Sequence, residues 1–161
     1  MLTAITHPFR RTLLTAAVVA ITGLVTAAPA MASDSRTVTV NATVIGVCKF
    51  FTASPVLDLS NTGSGSDIDP SSTTPATGSV PITYRCSNGQ APSFTVGGTV
   101  TLNNGGDSMV ATITYTGGGN GTGMGSSQDK TLTVSGSIAS TIFEDKPIGL
   151  YTNTMTVGIN P

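Results

Sequence analysis

Val38, Val40, Ala42 and Val44 fall on alternate positions of the segment Thr37-Val38-Thr39-Val40-Asn41-Ala42-Thr43-Val44. Successive side chains of an extended chain point to opposite sides, so these four share one face and the polar residues share the other. The same period of two returns along the chain. Val80, Ile82, Tyr84 and Cys86 carry it, as do Phe94 and Val96, then Val100 and Leu102 beyond Gly97-Gly98. Ala111, Ile113 and Tyr115 form another set, Leu132 and Val134 a further one, and Tyr151, Met155, Val157 and Ile159 the last. Gly, Pro, Asn and Ser clusters separate these segments, and no Leu or Ala run of helical length follows residue 32. About seven short strands in roughly 125 residues predict an antiparallel all-β domain of sandwich type. The glycine pair predicts a bulge or bend. Residues 60–79 and 117–128 read as loops by composition, and 138–145 offers the one plausible helical turn.

The first 32 residues read as an export signal. Arg10 and Arg11 supply a basic n-region, Leu13 to Val25 a short apolar h-region, and Ala30-Met31-Ala32 the small residues of a cleavage site. Cleavage is placed before Ser33, with cleavage after Ala30 as the alternative. The apolar run is too short and wrongly flanked for a membrane span. The expected organisation is a signal peptide over 1–32, an N-terminal strand segment over 33–47 and a single β-domain over 48–161, with export to the periplasm and beyond.

Cleavage removes two of the seven basic residues and none of the eight acidic ones, so the net charge moves from −1 to −3. No basic stripe remains, which argues against nucleic acid as a partner. His7, the only histidine, leaves with the signal. Ser-His and Cys-His catalysis and histidine metal sites go with it. Gly117 to Gly125 satisfies neither a dinucleotide nor a P-loop pattern, and there is no G-x-S-x-G elbow. Adjacent Glu144 and Asp145 do not make a convergent acid pair. Asp67-Ile68-Asp69 lacks the further spaced oxygen ligands of a calcium loop. The glycosylation sequons at Asn41 and Asn120 read as chance matches. The chain reads as a non-enzyme without cofactor or metal. Cys48 and Cys86, an even pair in an exported chain, suggest a structural disulfide, and they lack CxxC spacing. Closing a loop of about 38 residues is worth roughly 4 kcal/mol in the loop-entropy account.

The strand inventory is unbalanced. The last strand is expected from Leu150 to Ile159, two residues before the sequence stops. An immunoglobulin-like sandwich with this as its sixth strand lacks a seventh, which leaves a hydrophobic groove and an unpaired edge. One alternating strand is meanwhile in excess at the N-terminus, so excess and deficit are complementary.

These residues resemble the spore coat U domain proteins, the Csu-type pilins of the archaic chaperone–usher pathway. The matching features are the V-x-V-x-A-x-V strand before Cys48, the Leu57-Asp58-Leu59 element, and the strand Val80-Pro81-Ile82-Thr83-Tyr84-Arg85-Cys86. They continue with Phe94-Thr95-Val96, the turn at Gly105-Gly106, and Gly149-Leu150-Tyr151-Thr152-Asn153-Thr154 leading into Met155-Thr156-Val157-Gly158-Ile159. The chain departs from the family where Asn153 replaces an aspartate, where the Leu57 segment lacks an aromatic and a glycine, and where Gly117 to Gly125 replaces a more hydrophobic segment.

The resemblance implies an incomplete immunoglobulin-like β-sandwich completed by donor-strand addition. It implies a periplasmic pilus chaperone and an outer-membrane usher as partners, together with identical or related pilin subunits in a head-to-tail fibre that supports adhesion and biofilm formation. Val38, Val40, Ala42 and Val44 match the donor positions, with Ala42 facing a shallow pocket. Tyr151, Met155, Val157 and Ile159 match the acceptor-edge strand, and Tyr151 also reads as a sandwich-corner tyrosine. A single domain fits a shaft or minor subunit. The alternative is a self-contained secreted β-sandwich module binding, for example, carbohydrate. A small outer-membrane barrel lacks its aromatic girdles.

Overall fold

The computed structural model describes residues 34–161; the expected signal peptide lies outside the described residues. The chain divides into two units, Met1–Asn41 and Ala42–Pro161, and every sheet belongs to the second.

That unit is all-β. Its larger sheet has five antiparallel strands in the order β1-β2-β6-β5-β4. These are β1 (Cys48–Phe50), β2 (Ala76–Cys86), β4 (Thr99–Asn104), β5 (Asp107–Gly117) and β6 (Lys130–Ile138). β3 (Ser93–Val96) and β7 (Val157–Asn160) pair with each other as a separate two-stranded ribbon. A short helix, α1 (Ser140–Phe143), follows β6.

The period of two explains the sheet directly. Ala76, Ile82, Tyr84 and Cys86 of β2, Met109, Ala111 and Ile113 of β5, and Leu132, Val134 and Ile138 of β6 are all buried. Adjacent strands put them on one face, where Leu59 and Phe143 join them. The ribbon packs on this face through Phe94. Its ring meets Tyr84 edge-on, with centroids 5.1 Å apart, and Tyr115 at 6.2 Å. Pro81 sits within the long β2 without breaking it. Thr83 turns its N–H and C=O toward the segment following β1. Alternate residues share an edge, so the missing N–H of Pro81 falls beyond the end of β1, where no ladder needs it.

The glycine pair does more than bend a strand. Gly97-Gly98 is the point where the chain leaves the ribbon (β3) and enters the large sheet (β4). Gly105, at φ 61°, takes the left-handed position in the two-residue turn that joins β4 to β5 and pairs Asn104 with Asp107.

Three expectations need correction. The loop expected over 60–79 ends early, because Ala76 to Ser79 pair with Ile138 to Ser135. The helical turn is confined to Ser140–Phe143, since Ile138 completes β6. The last strand does not begin at Leu150: only Val157 and Ile159 of the four acceptor candidates lie in β7, while Tyr151 and Met155 precede it. Thr152 is held to the edge of β4 by a bridge to Asn103, and the Asn153 side chain donates to Thr101 O at 2.6 Å. The segment is therefore tied to the large sheet and must cross over before it can pair with β3.

Candidate functional site

The chemistry of catalysis is sparse in the described residues. No group of three or more His, Cys, Asp or Glu side chains converges on a metal-sized space among them. Asp69 is occupied locally. Its carboxylate accepts the Oγ–H and N–H of Ser71 (2.7 and 2.9 Å), which hold the carboxyl below its ordinary range. Asn61 binds the backbone of the same loop from both ends of its amide. Arg85 pairs with Asp129 and stacks over the Phe51 ring at 4.1 Å, a use that leaves no open cationic cleft there. Cys48 and Cys86 lie directly opposite each other on β1 and β2 and form a disulfide.

The glycine loop after β5 is anchored. The buried Tyr84 hydroxyl accepts the Gly119 N–H at 3.0 Å and donates to Gly119 O at 3.3 Å. Gly121 donates to Gln90 O and accepts from Gly89 N–H, and Gly123 donates to Cys86 O.

Two surfaces remain that could bind a partner. The first is the edge of the ribbon and of β1. β7 has a ladder partner only in β3, and β1 only in β2, among the described residues. Phe50, Phe94, Val96, Val157 and Ile159 are only half-buried, as are Tyr151 and Met155. Among the described residues, fourteen apolar side chains packed against the core are only partly buried, beside twelve that are buried. Tyr115 shares the face of Ala111 and Ile113 yet is 43% exposed. The Tyr151 hydroxyl donates to Pro147 O at 3.0 Å, a backbone group four residues upstream. Residues 34–47 form no strand. Val38, Val40 and Val44 are 78%, 86% and 91% exposed, and Ala42 is exposed as well.

The second surface is the outer face of the large sheet. Register places Thr77, Ser137, Thr112 and Thr99 in one row across four strands, and Ser79, Ser135 and Thr114 in the next. A shallow hollow of about 410 Å³ lies among Thr77, Ser79, Thr112, Thr114, Ser135 and Ser137. It offers hydroxyls and backbone, and neither a charge nor an aromatic ring. Nothing in the sequence reading singled out this face, although the alternate Thr and Ser of each strand carry its signal.

No family model, no curated protein and no solved structure matches this chain.

Proposed function

We propose that the chain is a structural subunit of a chaperone–usher surface pilus that polymerises by donating Val38 to Val44 to the open ribbon edge of a neighbouring subunit. One observation carries the reading: an alternating apolar segment that is exposed and unpaired, in a chain whose own core face is only partly covered. Burying a valine from water is worth about 1.5–3 kcal/mol, so three exposed valines on one face are a standing drive toward a hydrophobic groove. Strand addition satisfies the backbone and the side chains at once: main-chain bonds supply affinity, and alternate side chains entering pockets supply specificity. The acceptor is an immunoglobulin-like sandwich lacking one strand, with β7 as its edge. Because the donor belongs to the next subunit, the contact is head-to-tail and open-ended, which makes a fibre. A periplasmic chaperone covers the groove first, the usher exchanges it for the donor, and the fibre supports adhesion and biofilm formation at the cell surface.

The test is a mature chain lacking residues 33–45. It should still bind the chaperone and should not polymerise. Fibres of full length from that deletion would overturn the donor assignment.

A second reading, a self-contained carbohydrate-binding module, draws on the hydroxyl-lined hollow of the outer face. It requires a stable monomer, so size exclusion and thermal melting of the mature chain alone separate the two.

A further inference from the structure

Val44 is followed by only Ile45, Gly46 and Val47 before Cys48, which the disulfide ties to Cys86. A donor segment so close to its own domain could turn back at Gly46 and fill its own groove, which would end polymerisation at the monomer. Three residues with a central glycine are enough for a hairpin reversal.

The hydrogen bonding opposes that reversal. The β1–β2 register sets Cys48 opposite Cys86, and Val47 and Ser87 continue it one step further. The Ser87 N–H donates to Val47 O at 2.8 Å. The Val47 N–H donates to Ser87 Oγ at 3.1 Å, and that hydroxyl donates in turn to Ile45 O at 3.2 Å. One side chain therefore holds two backbone groups of the exit segment, one as acceptor and one as donor, and keeps residues 45–47 in line with β1. The wall beside them is braced. A Cβ at Gly46 would overlap Gln90 Oε1, and the backbone of Gly89 and Gln90 is bonded to Gly121 on both sides.

We propose that Ser87 is a positioning residue for assembly: it holds residues 45–47 in line with β1 and so opposes a reversal at Gly46, and the donor segment is given to a neighbour rather than kept. The inference rests on the donor-strand reading. Removing the hydroxyl takes away two bonds of ordinary strength, which corresponds to a shift of about tenfold toward the self-filled monomer.

The experiment compares wild-type, Ser87→Ala and Ser87→Thr mature chains, refolded alone under oxidising conditions. It reads size exclusion with light scattering, monomer melting temperature, and amide exchange at Val47. The expected result is an oligomer ladder for wild type and Ser87→Thr. Ser87→Ala should be enriched about tenfold in monomer, lose protection at Val47, and give a monomer that melts higher because its groove is filled. A purely structural role would lower the melting temperature without enriching monomer, and that outcome overturns the proposal. So does a wild-type ladder from Ser87→Ala. Two glycines inserted between Ile45 and Gly46 loosen the same exit without touching Ser87 and should also enrich monomer; an unchanged ladder there likewise counts against it. A wild-type chain that never oligomerises overturns the donor reading itself, and the role of Ser87 with it.

Discussion

Gly78 and Gly136 stand opposite each other in the β2–β6 ladder, and the Leu57–Leu59 segment crosses the sheet on the strip they leave bare. A Cβ on Gly78 would overlap the Asp58 carbonyl. One on Gly136 would meet Leu59 Cδ2 at 2.8 Å and Leu57 Cδ2 at 3.2 Å.

The two glycines should therefore differ on substitution. Gly78→Ala pushes against backbone, which cannot rotate away, and should cost toward the upper end of the 1–3 kcal/mol typical of overpacking. Gly136→Ala pushes against two leucine methyls that can shift, and should cost near the lower end, about 1 kcal/mol. Urea denaturation of the monomeric domain gives the ranking; equal losses would contradict this account of the crossing.

Reducing the Cys48–Cys86 bridge should lower stability by about 4 kcal/mol, since it closes a separation of 38 residues. The urea midpoint with and without reductant reports the loss. The far-UV signal of the large sheet should survive at low denaturant, because β2, β5 and β6 pair through registers that do not involve the bridge.

Tyr84→Phe removes one hydroxyl and keeps the ring that packs edge-on against Phe94. The Gly119 N–H and C=O lose their partner and turn to water, for a cost of about 0.5–1.5 kcal/mol. Amide exchange should show Gly119 losing protection while Ile82 and Leu132 keep theirs. Loss of protection throughout β2 would mean the hydroxyl supports the sheet itself.

The strands of the core were legible because burial on one face writes a period of two into the chain: Ile82 and Tyr84, Ala111 and Ile113, Leu132 and Val134 all follow it. The cysteine pairing followed from number, two cysteines and no others. What the pattern hid is instructive. Gly78 read as a loop residue because glycine breaks strands in isolation; here it is a strand residue whose missing Cβ admits Asp58. The three-residue β1 was too short for any period to register. The last strand reads longer in sequence than it is because Tyr151 and Met155 share the parity of Val157 and Ile159, while the contacts of Thr152 and Asn153 with β4 are non-local and leave no periodic trace. Ser87, one serine among many, carries no signal until its bonds to residues 45 and 47 are in view.

Asp69 sets a small acid dependence. Its carboxyl is held below the ordinary aspartate range by the Ser71 hydroxyl first and the Ser71 amide second. A depressed pKa in the folded chain means the contribution is present above the unfolded aspartate pKa and is lost as pH falls through the folded value. Ser71→Ala should raise the Asp69 pKa toward the ordinary value in a carboxyl-resolved NMR titration. Stability near pH 7 should change little, because the group is fully exposed. An unmoved titration would show that the amide alone holds the carboxyl.

Under the proposed donor role, the valines of the N-terminal segment should separate folding from assembly. Val40 is 86% exposed, so replacing it should alter the stability of the monomer by no more than about 0.5 kcal/mol. In a neighbour's groove the same side chain is worth about 1.5–3 kcal/mol, and each 1.4 kcal/mol is tenfold in affinity. Val40→Ala should therefore weaken subunit association by roughly tenfold or more. Val40→Asp, which asks a carboxylate to enter an apolar groove unpaired, should abolish it. Ala42→Gly removes a single methyl and should fall well short of either. Sedimentation of refolded mature chains measures the order, with melting temperatures as the control. Val40→Asp polymerising like wild type would show that this face does not enter the groove. A melting temperature that falls in step with lost assembly would show that Val40 supports its own domain instead.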